Sequence, residues 1–116
     1  MDPRALMDAS ERASALLKVL ANPDRLLILC QLAEGEKTVT ELGAALKLRQ
    51  PTLSQQLARL RGDGLVDTRR DGKNIYYSLS SPEATRIMEV LYELYCTPQP
   101  ISFAAPKPFP LLEERD

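Results

Sequence analysis

The 116-residue sequence contains no histidine and no tryptophan, only two cysteines, and only five glycines. Without histidine the chain lacks the commonest transition-metal ligand and the usual acid–base group of neutral-pH catalysis. The cysteines, Cys30 and Cys96, stand 66 positions apart. A zinc or related site wants about four nitrogen or sulfur ligands, and a catalytic dithiol usually appears as Cys-x-x-Cys, so neither reading is favoured. No phosphate-cradling glycine loop is present. Together these absences predict a protein that is not an enzyme and that holds no metal and no cofactor. No apolar run approaches the ~20 residues of a membrane span, and no signal peptide opens the chain. The expected location is the cytoplasm, where both thiols start out reduced.

Aromatic residues make up 5% of the chain, against 44% hydrophobic residues overall, so Leu, Ile, Val and Ala must fill the core. The length suits one domain with one core. Net charge is −1 and argues for no partner, but its distribution does. Residues 47–73 hold seven Lys or Arg against three Asp, a local charge of +4, which leaves −5 for the remainder. A basic face on an acidic body suits a DNA-binder that avoids indiscriminate collapse onto polyanions.

Along the chain, residues 5–20 place Leu6, Ala9, Ala13, Leu16, Leu17 and Leu20 on one helical face. Asn22-Pro23 then opens a helix over about 23–34, apolar nearly all round from Leu26 to Cys30 and expected to be the central one. Thr40-Glu41 marks a third helix, about 40–47, with Leu42, Ala45 and Leu46 inward. After a turn at Leu48 to Gln50, a fourth helix at about 51–62 directs Leu53, Leu57 and Leu60 to the core. Leu65 to Arg70 and Asn74 to Leu79 alternate like strands about Asp71-Gly72-Lys73, a strong hairpin signal. A last helix, about 82–96, carries Ile87, Met88, Leu91, Leu94 and Tyr95 as an apolar stripe. Residues 97–116 contain Pro98, Pro100, Pro106, Pro108 and Pro110 and read as an extended, partly disordered arm. The division is therefore a domain over 1–96 and a proline-rich tail over 97–116.

Two helices, a turn between them and a hairpin, in that order, predict a mainly α fold with a small β-hairpin wing: a winged helix-turn-helix. The exposed side of the fourth helix offers Gln50, Thr52, Ser54, Gln55 and Arg59 for base edges and phosphates. The hairpin adds Arg69, Arg70, Lys73 and Asn74 for the DNA backbone or minor groove. The same basic, polar face weighs against a module that binds a partner protein instead.

These residues carry a family resemblance. NPDRLLIL, TVTELGAALKLRQPTLSQQLARLRGDGLV and RRDGKNIYYSL resemble the ArsR/SmtB family of bacterial repressors over about residues 8–96. The resemblance implies a homodimer built on the first and last helices. It also implies binding to an imperfect inverted repeat in double-stranded operator DNA, and release when an inducer binds. Many members sense metals through Cys or His clusters, which this chain lacks; Gln56 stands where many relatives have His. NPDRLLILCQLAEGE and LYELYC look like the BigR/SqrR branch, whose members sense persulfides. In that branch the cysteines matching Cys30 and Cys96 become joined through a polysulfide bridge and the repressor leaves DNA. Read from the residues alone, Cys30 within LLILCQL is equally at home as a core filler. A general thiol-oxidant sensor forming an ordinary disulfide remains open, and less favourably a metal-responsive repressor.

Overall fold

The computed structural model describes residues 2–96. The expected arm over 97–116 lies outside the described residues. The element order is α1 (Pro3–Leu20), α2 (Pro23–Ala33), β1 (Lys37–Thr38), α3 (Val39–Leu46), α4 (Gln50–Gly62), β2 (Val66–Asp71), β3 (Asn74–Leu79) and α5 (Pro82–Tyr95). This is the mainly α winged helix-turn-helix that the sequence predicts.

Local chemistry sets the helix starts. Asp2, Asn22, Thr38 and Ser81 each accept a hydrogen bond from a first-turn amide of α1, α2, α3 and α5. Such caps are each worth about 1 kcal/mol. Prolines follow directly at Pro3, Pro23 and Pro82, where a missing N–H costs nothing. The third helix begins at Val39, not at Thr40, because Thr38 and Glu41 form a reciprocal capping box: Glu41 N donates to Thr38 Oγ1 at 3.1 Å, and Thr38 N donates to Glu41 Oε1 at 2.8 Å. Lys47 ends α3 in the left-handed region, with φ 56° and ψ 36°.

The core joins α2, α3, α4 and α5 through Ile28, Leu29, Leu42, Leu53, Leu57, Leu60, Ala84 and Met88. Val19 and Leu20 from the end of α1 and Leu65 and Val66 from the start of the wing complete it. Leu53, Leu57 and Leu60 are fully buried, as their spacing requires. Truncating one of them to Ala removes contacts worth about 2–5 kcal/mol.

Two inward assignments are corrected. Ala45 is exposed, and Leu42 is the one buried residue of α3. On α2, Leu27 is exposed, so the helix is buried on one side only. Leu6 and Leu17 of α1 and Leu94 and Tyr95 of α5 all point out of this single chain, more than half exposed.

The wing has one strand more than a hairpin. The sheet order is β1-β3-β2, all antiparallel, with Lys37 opposite Tyr77 and Thr38 opposite Tyr76. Asp71 lies within β2, paired with Asn74, so the connecting loop is Gly72-Lys73 alone. Gly72 takes φ 67°, which a side chain would resist. Because β1 runs straight into the cap of α3, its pairing with β3 ties the helix-turn-helix to the wing.

Candidate DNA interface and dithiol groove

The core stripe of α4 turns its opposite side outward. Gln50, Ser54, Gln55 and Arg59 are exposed and Thr52 is half-buried. Unlike the four other helices, α4 has no side-chain cap: its N-cap is Arg49, and Leu53 N donates back to Arg49 O at 3.0 Å. The amides of Gln50 and Thr52 thus remain at the positive end of the helix dipole, beside the predicted base-reading side chains. An anion of the DNA backbone is the natural complement of such an end.

The predicted phosphate ligands divide into two groups. Arg59 and Arg69 are engaged within the chain and are not free cations. Arg59 Nε donates to Asp63 Oδ2 at 2.8 Å, one turn on. Arg69 Nε donates to Glu36 Oε2 at 2.9 Å, and its Nη2 donates to Oε1 of the same carboxylate. The Arg69 guanidinium also lies over the Tyr76 ring, 4.6 Å from its centroid. The hydrogen bond from Arg69 holds the Glu36 carboxyl below its ordinary range, with the opposite charge adding to it. Arg69 therefore acts as a strut between the wing and the loop before β1. Arg70, Lys73 and Asn74 are exposed, and among the described residues neither Arg70 nor Lys73 forms an ion pair.

One contact escaped the sequence reading. Arg25 of α2 donates from Nε to Val19 O at 2.6 Å and from Nη1 to Gln56 Oε1 at 3.1 Å, with Nη2 3.5 Å from Lys18 O. A signal for it was present. Gln56 is three positions after Leu53 and four before Leu60, so it borders the core stripe, where an amide oxygen wants a donor.

The two cysteines line one surface groove of about 560 Å³ between α2 and α5. Cys30 is half-buried on α2, whereas Cys96 is the exposed C-cap of α5. Met88 forms part of the floor, and Glu34, Glu89, Tyr92 and Glu93 surround the thiols. Burial pushes the Cys30 thiol above its ordinary pKa, and the neighbouring Cys96 and Glu34 charges push the same way. Cys30 is consequently a poor thiolate at neutral pH. Among the described residues no cluster of three or more Cys, Asp or Glu is placed to hold a metal ion. No described helix is long and apolar enough to cross a membrane.

Comparison with known proteins agrees with this layout. The family model "Bacterial regulatory protein, arsR family" matches residues 22–68, from the cap of α2 into β2. The chain is 50% identical over 95 residues to the biofilm growth-associated repressor of Agrobacterium fabrum, covering 82% of this chain and 81% of that one. It is 49% identical over 87 residues to the transcriptional activator HlyU of Vibrio cholerae, covering 75% and 81%. The structure of reduced HlyU from that species superposes with a TM-score of 0.78, at 46% identity, over 81% of this chain and 99% of that one. The crystal structure of the transcriptional repressor BigR from Xylella fastidiosa superposes with a TM-score of 0.76, at 40% identity, over 82% and 94%. The chain thus belongs to the ArsR family of bacterial regulatory proteins, DNA-binding transcriptional regulators and not enzymes.

Proposed function

We propose that this regulator is a cytoplasmic homodimeric repressor that leaves an inverted-repeat operator when reactive sulfur species join Cys30 to Cys96. The observation that carries the reading is the groove that both thiols line. Its likeness to BigR supports repression, while HlyU, named as an activator, marks the competing outcome at the promoter. For the dimer, the support is apolar surface on α1 and α5. Leu6, Leu17, Val90 and Leu94 are all exposed in the single chain. A groove of about 800 Å³ with Ala9, Ala13, Leu16 and Ile87 in its lining separates α1 from the start of α5.

The chemistry balances without a further oxidant. A cysteine thiolate attacks the sulfane sulfur of a persulfide R–S–SH; the donor S–S bond breaks, R–S⁻ leaves, and Cys–S–SH forms. With both cysteines charged, the terminal sulfur on one attacks the inner sulfur on the other. That step expels HS⁻ and leaves Cys30 and Cys96 joined through one added sulfur. The bridge fixes α2 against the end of α5. Through α5 it shifts the partner helices and the spacing of the two recognition helices α4. A loss of contacts worth about 1.4 kcal/mol already lowers affinity tenfold.

The test is intact mass and operator binding after glutathione persulfide, hydrogen peroxide and diamide in parallel. A bridge with added sulfur and DNA release after the first reagent alone supports the proposal. Release by all three with a plain disulfide transfers the function to a general oxidant sensor. Cys30→Ser and Cys96→Ser are each expected to fold, dimerise and bind DNA, yet to stay bound in persulfide. Sedimentation showing a monomer at micromolar concentration would remove the dimer.

A further inference from the structure

We infer that the groove between α2 and α5 selects its sulfur donor by charge, admitting neutral and cationic low-molecular-weight donors ahead of anionic ones. The inference deepens the dithiol reading above and rests on it. Its basis is the composition of the groove wall. Glu34, Glu89 and Glu93 line the groove with Cys30 and Cys96, and among the described residues no Lys or Arg lines it. The ion pair between Glu34 and Lys37 is loose, at 3.9 Å, with Glu34 well exposed. The Glu34 carboxylate still acts on the Cys30 thiol in spite of it. A concave, partly apolar site with charges of one sign concentrates their potential where a reactant must enter.

The geometry of sulfur transfer brings that potential to bear on the donor. The attacking thiolate approaches along the donor S–S bond, so the leaving half, R–S, projects away from the cysteine. Cys96 ends α5 at the surface, so R passes the carboxylates as it enters and leaves. As the S–S bond breaks, the electron pair goes to R–S⁻, so the negative charge of the attacking thiolate moves outward onto the leaving group beside them. A positive group on R offsets both effects and a carboxylate on R worsens both. Glutathione persulfide carries two carboxylates and one ammonium and is disfavoured. A cysteine-derived persulfide, with one of each, is the better match.

The electrostatics are separable from the identity of the natural inducer. Full-length reduced protein is treated with three disulfides of similar size: cystamine, which is cationic, bis(hydroxyethyl) disulfide, which is neutral, and dithiodipropionate, which is anionic. Each transfers R–S to a cysteine thiolate and releases R–S⁻. Rates are read by peptide mass and divided by those of N-acetylcysteine amide. The expected order at Cys96 is cationic, neutral, anionic, with cystamine ahead of dithiodipropionate by about tenfold at low ionic strength. In ~1 M salt, where the screening length is about 3 Å, the gap should shrink to about twofold. Combining Glu34→Gln with Glu89→Gln should shrink it at low salt as well. Equal normalised rates at low salt, a gap that neither salt nor the double substitution alters, or no reaction at either cysteine would overturn the inference. If the order holds while no persulfide releases DNA, charge selection stands and the sulfur-sensing reading fails.

Discussion

Arg25 reaches Gln56 on the recognition helix with one arm of its guanidinium, at 3.1 Å, and the last turn of α1 with the other, at 2.6 Å from Val19 O. A single side chain on α2 therefore connects the helix expected at the dimer interface to the helix expected in the major groove. Cys30 lies five positions along the same α2. Arg25→Ala leaves the end of α1 and Gln56 without this donor and should lower stability by about 1–3 kcal/mol. Gln56→Glu turns this charge-assisted bond into a full ion pair and should retain stability and operator affinity. Urea unfolding and DNA titration check both. Operator affinity unchanged in Arg25→Ala would show that α4 keeps its posture without this contact.

The DNA face should separate sequence reading from charge. Gln55→Ala is expected to lose about 1–3 kcal/mol of discrimination between operator and random DNA. Arg70→Ala should weaken all sequences alike and lower the salt slope by about 1.

Glu36→Ala should have the reverse effect on charge. It releases Arg69 from its strut, so non-specific affinity and the salt slope should both rise. The Glu36 carboxyl titrates below its ordinary range, so the folded form binds this proton less readily than the unfolded chain does. The stabilisation is therefore present above the ordinary carboxylate pKa and is lost as pH falls through the lowered one. Salt-slope measurements at neutral and acid pH should converge on the Glu36→Ala value in acid.

The cysteines should react in order. Cys96 is exposed, while Cys30 is half-buried and holds its proton above the ordinary thiol range. Labelling with iodoacetamide at neutral pH should modify Cys96 first. The Cys30 rate should climb as pH rises past the ordinary thiol pKa, and climb further at lower pH once Glu34 is replaced by Gln. Peptide mapping across pH gives both rates. Cys30 labelled ahead of Cys96 at neutral pH would contradict this order.

Gly43 offers a stability test where α3 packs on α4. It lies inside α3, and a Cβ there would meet Leu48 O and Leu53 Cδ2 at 3.7 Å, ordinary contact distance. Gly43→Ala should raise stability by about 0.5–1 kcal/mol through helix propensity and a less flexible unfolded chain. Thermal and denaturant melts measure it.

Much of this architecture was legible because the signals were local. Pro23 and Pro82 mark helix starts, the spacing of Leu53, Leu57 and Leu60 sets the buried side of α4, and the turn around Gly72 sets the hairpin. What escaped depends on partners distant in sequence. Strand β1 is two residues long and exists only through its pairing with Tyr76 and Tyr77. Arg69 looked like a free cation because Glu36 is 33 positions away. Leu94 and Leu17 show a limit of the same kind, because apolar spacing alone does not distinguish a surface that covers this chain's own core from one that awaits a second copy. The shared groove of Cys30 and Cys96 was expected from the family resemblance and not from spacing along the chain, because it depends on α2 and α5 meeting in space.

Among the described residues the sheet order leaves β2 with an unpaired outer edge. An open strand edge is a template on which other chains pair. Four of the six residues of β2 are charged: Asp67, Arg69, Arg70 and Asp71. The charges that give the wing its polar character therefore also keep wings of separate molecules from stacking edge to edge. Arg70 serves both ends, so replacing it with a β-former such as Val would weaken DNA binding and at once expose a sticky seam. Loss of operator occupancy in such a variant has to be read together with its solubility.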